Sequence, residues 1–147
     1  MLQYKKRRVY KYTLAAPYSF ATGIQLERSV SNRFITLRAD GQLELASAYA
    51  WDGASGPMPD LPSIMRASLI HDALYQLIRE QKLASSHRLA CDQLLRQACL
   101  ADGMSPALAQ WVYFCVRRFG ARYTRPDLIQ LDLSPAKPIT DIAQTSE

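Results

Sequence analysis

The stretch SIMRASLIHDALYQLIREQK, residues 63–82, decides how the rest of the chain is read. Met65, Leu69, Ile70, Leu74, Leu77 and Ile78 recur at the spacing of one helical face, which predicts an amphipathic helix over 63–82. Ser63, just after Pro62, is placed as its N-cap. Working outward, the period changes on either side. Upstream, Arg33–Arg38 (RFITLR) and Gln42–Ala48 (QLELASA) alternate with period two around Ala39-Asp40-Gly41, an Asp-Gly hairpin signal. Tyr4–Leu14 reads as a further strand with one wet face, and Ala15–Arg28 as loop with a short strand at most. Tyr49–Pro62 (YAWDGASGPMPDLP) carries too much Gly and Pro for regular structure. Downstream, Ser85 and Ser86 offer a cap for a second helix that runs to about Ala101 and stops at Asp102-Gly103. Ser105-Pro106 opens a third helix, which Gly120 ends. The class is therefore α+β: a small N-terminal antiparallel sheet followed by three α-helices, the first two an antiparallel pair. One domain spans 1–123. Residues 124–147, with Pro126, Pro135 and Pro138, form an extended tail that either wraps the domain or lies on a partner.

Composition narrows the classes. The chain has 147 residues, 48% hydrophobic and 21% charged, which suits one globular domain and excludes a disordered or low-complexity chain. No apolar run is long enough to span a membrane, and MLQYKKRRVY has no apolar stretch behind its basic residues, so no secretory signal is read there. The net charge of +5 lies in the ordinary range for solubility, yet it also suits an anionic membrane surface. Nucleic acid is not an expected partner. Cys91, Cys99 and Cys115 form no C-x-x-C pair, and Cys91 and Cys99 would stand about 12 Å apart on one helix, so all three read as buried free thiols in a reducing compartment.

One polar constellation interrupts the apolar pattern. On the first helix His71 sits at the edge of the stripe, Tyr75 a little further round, and Asp72 further still, away from the stripe beside Ser68 and Arg79. On the second helix Cys91, Leu95, Ala98 and Cys99 mark the inner face, and Asp92 falls inside it. A carboxylate there costs several kcal/mol unless it is paired. His71 and Tyr75 are the natural donors across an antiparallel pair. A bond from Nδ1–H of His71 to Asp92 would leave Nε2 as a base. With no Ser or Cys placed as a nucleophile, that base would act on water. Asp72, with carbonyls of the Trp51–Gly56 loop, suits a hard cation. The same His, Asp and Tyr can equally be a satisfied network that joins two helices. His87 reads as a surface residue, and Trp51 and Trp111 as core. Asp52 reads as an Asx turn or as part of an anion or metal site. Lys5, Lys6, Arg7 and Arg8 read as a solvated strand edge. Arg117, Arg118, Arg122 and Arg125 complement the end of the third helix or form a patch for a partner or lipid phosphate.

Two resemblances follow from these residues. Over roughly 8–123 the order Trp51-Asp52-Gly53-Ala54-Ser55-Gly56-Pro57, His71-Asp72-Ala73-Leu74-Tyr75, Asp92, then Val116–Gly120 resembles the phage and prophage family of unknown function number 1353, with Trp51 where that family usually has Thr. H-D-x-x-Y with an Asp on an antiparallel helix is similar to the phospholipase A2 core, here without the disulfides of the secreted enzymes. That second resemblance implies His71 as general base on water, Asp92 as its orienting residue and Tyr75 as a bond to Asp92. It also implies calcium held by Asp72 and by loop carbonyls, here those of Trp51 and Gly53. Together they imply a phage-encoded, calcium-dependent phospholipid ester hydrolase, or else a non-catalytic virion or assembly component. Phage structural proteins, self-assembly or an anionic membrane surface are the implied partners, and the host cytoplasm or the virion the implied place.

Overall fold

The structure is a computed structural model that describes residues 12–54 and 58–126. Most of the first predicted strand, the Lys5–Arg8 charge run, Ser55–Pro57 of the Gly-rich loop and the tail from residue 127 onward lie outside the described residues. The order is β1 (Tyr12–Thr13), β2 (Tyr18–Ala21), β3 (Val30–Ser31), β4 (Ile35–Leu37), β5 (Gln42–Leu45), β6 (Ala50–Trp51), α1 (Pro62–Arg79), α2 (Arg88–Ala101) and α3 (Pro106–Phe119). Short 3₁₀ turns cover Ser85–His87 before α2 and Gly120–Thr124 after α3. The expected α+β class is what forms.

The hairpin is where alternation placed it, with Ile35 opposite Leu45 and Leu37 opposite Leu43. Gly41 turns it at φ +95°, and a Cβ there would come within 2.8 Å of the Ile24 carbonyl oxygen. The turn thus needs glycine both for its backbone and for the closeness of the β2–β3 loop. Strands β2-β5-β4-β3 make one antiparallel sheet. Contrary to the single sheet expected, β1 and β6 pair separately, Tyr12 opposite Trp51, so the end of the hairpin region leads into a strand and not straight into loop. Ile35, Leu37, Leu43 and Leu45 face inward and are almost wholly buried. Each contributes about 1.5–3 kcal/mol by leaving water. They meet Ile70, Leu74, Leu77 and Ile78 of α1 in one core cluster.

Helix α1 is the centre of the molecule, buried on more than one face. Its other side joins Leu95, Ala98, Met104, Ala109 and Val112 of the helical layer. Pro62, not Ser63, begins it: Leu61 is the extended residue before the helix, and the fixed φ of proline suits the first turn. The helix stops at Arg79, three residues short of the expectation. Gln81 turns left-handed at φ +63°, and the Lys82 and Leu83 amides both bond back to the Leu77 carbonyl, which tucks Leu83 into the core. Ser105 caps α3 as expected, its Oγ accepting from the Leu108 amide at 3.3 Å. Contacts between α1 and α2 run in opposite directions along the two helices, Arg66 to Asp102, His71 to Asp92 and Tyr75 to Arg88, so the pair is antiparallel.

Candidate functional site

His71, Tyr75 and Asp92 come together where α1 and α2 face each other. Asp92 is fully buried. Its Oδ1 lies 2.7 Å from His71 Nε2 and accepts from the Tyr75 hydroxyl at 2.6 Å. The His71 and Tyr75 rings lie against each other, tilted by 39°, with centroids 4.0 Å apart. An ionised carboxylate only accepts, so the proton sits on Nε2. This reverses the expected ring orientation: Nε2 is the bonded atom, and Nδ1 is left with the lone pair. The reason lies in the helix, because one turn separates His71 from Tyr75 and both reach Asp92 only through their far ends. Among the described residues nothing bonds to Nδ1, and His71 as a whole is buried, 5% exposed.

Two arginines complete the cluster, and the sequence reading gave neither this role. Arg117 Nη1 donates to Asp92 Oδ2 at 2.8 Å. Arg88, one turn before Asp92, donates from Nε to the Tyr75 hydroxyl oxygen at 3.1 Å and from Nη2 to the carbonyls of Val116 and Arg117 at 2.8 and 2.9 Å. Arg117 was expected among cations serving the helix dipole; it points inward, and Arg88 serves the end of α3 in its place. The signal available was arithmetic: a buried carboxylate with two oxygens needs more donors than one His and one Tyr. Gly120 lets this end of α3 close in, since a Cβ there would stand 2.7 Å from the Tyr75 hydroxyl oxygen. Burial pushes the Asp92 carboxyl up, but the bonds from His71, Tyr75 and Arg117 outweigh it and hold the carboxyl below its ordinary value.

Asp72 is half-buried. Burial first, then the charge of Asp52, pushes its carboxyl up to about 8, with Arg79 opposing. Asp52 is thus the like charge that acts on Asp72. The two other expected ligands have packing work. The Trp51 indole donates to Ser68 Oγ at 3.2 Å and lies against the Tyr12 ring. Gly53, at φ +79°, allows Asp60 to fold over it, where Asp60 accepts from Tyr12 and from the Ala54 amide. Among the described residues no three His, Cys, Asp or Glu side chains form a group that could hold a metal ion. Asp52 and Asp72 are carboxylates, the donor type that a hard divalent cation takes.

Of the remaining candidates, Trp51 is core and Trp111 is not: half of its surface is exposed. His87 lines a shallow cleft of about 240 Å³ between the β2–β3 loop and α2. Cys91 and Cys99 are buried free thiols, and Cys115 is half-buried. Among the described residues no helix is long and apolar enough to cross a membrane. No family model matches the chain, and neither a curated protein nor a solved structure matches it.

Proposed function

We infer that the protein is a hydrolase in which His71 activates water for attack on an ester, with phospholipid as the substrate class that the resemblance to phospholipase A2 implies. The observation that carries the reading is the orientation of His71. Its Nε2–H is spent on a buried carboxylate, and its lone pair on Nδ1 has no partner among the described residues. Asp92 and Tyr75 hold that tautomer. Nδ1 takes a proton from water as the water oxygen attacks the acyl carbon; the acyl C–O bond then breaks, and the proton passes to the departing alkoxide. Asp52 and Asp72 are the residues that would hold calcium, which would supply positive charge to the acyl oxygen. The resemblance to the phage family implies a phage or prophage origin, and phospholipid hydrolysis would be useful to a phage at the host envelope.

The test is fatty-acid release from mixed phospholipid vesicles, with calcium and then with chelator. Activity that needs calcium and is lost in His71→Gln and Asp72→Asn, both still folded, supports the reading. Absence of release by the wild type on zwitterionic and anionic vesicles alike overturns it. A second reading, a virion or assembly component in which the cluster only locks the helices, is favoured by two facts: both oxygens of Asp92 are already bonded, and His71 is only 5% exposed.

A further inference from the structure

We propose that the outer face of α3, with the turn that follows it, docks the protein on an anionic lipid bilayer. At 100° per residue, Trp111, Phe114 and Arg118 form a stripe opposite Ala109, the residue that α3 buries completely. The end of the helix and the turn that follows it add Phe119, Arg122 and Tyr123. Four of these six residues are large aromatics 48–62% exposed to solvent. Soluble proteins seldom leave so many rings together on one surface without a partner.

The chemistry of the face selects that partner. From Gly103 to Pro126 the sequence has no Asp or Glu, while Arg118, Arg122 and Arg125 are exposed. Arg117 is not counted, because it is bonded to Asp92. The cations lie over the rings: the Arg118 guanidinium is 6.0 Å from the Phe119 centroid and that of Arg122 5.3 Å from Tyr123. Rings and positive charges thus lie side by side. Aromatic side chains sunk to the acyl boundary would leave these arginines level with the phosphates. A second copy fits poorly, because a two-fold contact would set arginine against arginine. Stacking of nucleic-acid bases fits poorly as well, because Trp111 and Phe114 already stack on each other at 5.9 Å. The inference goes beyond the hydrolase reading and does not need it, since docking requires no turnover.

The experiment is co-sedimentation of the full chain with vesicles of mixed phosphatidylglycerol and phosphatidylcholine, and of phosphatidylcholine alone, both in chelator. Tryptophan emission is recorded in parallel. Binding to the anionic vesicles only, weakened by salt, with a blue shift in emission, is expected. The shift reports Trp111, since Trp51 is already buried; Trp111→Phe should keep most of the binding and lose the shift. Arg118→Glu with Arg122→Glu should weaken binding by about tenfold or more, and Phe119→Ser should also weaken it, both with unchanged far-UV circular dichroism. Absence of binding to anionic vesicles overturns the proposal. So does binding that survives these substitutions, or a concentration-dependent dimer or oligonucleotide complex that the same substitutions abolish in place of vesicle binding. His71→Gln should bind as the wild type does, which separates failure of docking from failure of catalysis.

Discussion

Asp92→Asn isolates what the buried cluster contributes. The carboxylate accepts from His71, from Tyr75 and from Arg117 at 2.6–2.8 Å. An asparagine oxygen in the Oδ1 place keeps His71 and Tyr75 but turns the amide NH₂ toward Arg117, a side chain with donors only. Flipped, it satisfies Arg117 and forces the His71 proton onto Nδ1. Either way three charge-assisted bonds become neutral or are lost, at about 1 kcal/mol each, or about 3 kcal/mol in all. For a chain of this size that is a fall in Tm of roughly 6–12 °C. The pH dependence sharpens the test. Asp92 is held below its ordinary carboxyl value, so its stabilisation is present above pH ~4 and is lost as pH falls through its folded value. Thermal melts by circular dichroism at pH 7 and at pH 3 should therefore show a wide gap between wild type and variant that narrows in acid. Melts that coincide at pH 7, or a gap equally wide at pH 3, would refute the account of Asp92 as the ionised centre of the network.

Gly120→Ala should destabilise the fold by about 1–2 kcal/mol despite the better helix propensity of alanine, because its Cβ would press on the Tyr75 hydroxyl; Tyr75→Phe in the same chain should recover part of that loss in denaturant melts, and a purely additive double variant would contradict the contact. Asp72→Asn should stabilise the protein at pH 8 and leave it unchanged near pH 4. The Asp72 carboxyl titrates at about 8 when folded and near 4 when unfolded, so its ionisation costs stability as pH rises through that window. A variant less stable than wild type at pH 8, without added metal, would refute this. Burial pushes the Cys91 thiol up to about 12 and the Cys99 thiol to about 11. A thiol reagent at pH 8 should therefore label Cys115 first, with Cys91 and Cys99 reacting only at the rate of unfolding, and mass spectrometry of the labelled peptides would show any other order.

What could be read from the amino acids alone followed the strength of the repeating signal. Three helices and the Asp40-Gly41 hairpin carry long periods and specific turn residues, and they formed where expected to within a few positions. Strand β1 lies within the strand read at Tyr4–Leu14, but β6 is two residues, too short to show alternation, and its Trp51 lies among glycines and prolines. In the candidate site, a carboxylate on an apolar stripe implied donors, and His71 with Tyr75 at one-turn spacing supplied two of them. The other partners were hidden by side-chain length. Arg117 and Arg88 reach from α3 and from the start of α2, and a long flexible cation at a helix end reads the same whether it turns inward or out. Trp111 was misread for a related reason: burial is the usual fate of tryptophan, but α3 spends its inner face on small and aliphatic residues and leaves no room there for the indole. Helical projection places Asp72 away from the stripe, but it shows direction and not what stands over a residue, so the partial burial of Asp72 was not legible.

The Arg88 guanidinium bonds one side chain of α1 and two carbonyls at the end of α3 from its place at the start of α2. Three segments that could otherwise fray separately are thereby made to open together. Backbone amides in the last turn of α3 and in the first turn of α2 should exchange with deuterium at a common rate, close to that of global unfolding, whereas the opposite end of α3 near Ser105 exchanges faster. A surface carried on the end of α3 is accordingly presented on a rigid support, so whatever meets the exposed rings there meets a preformed shape and bears little of the entropic cost of ordering it.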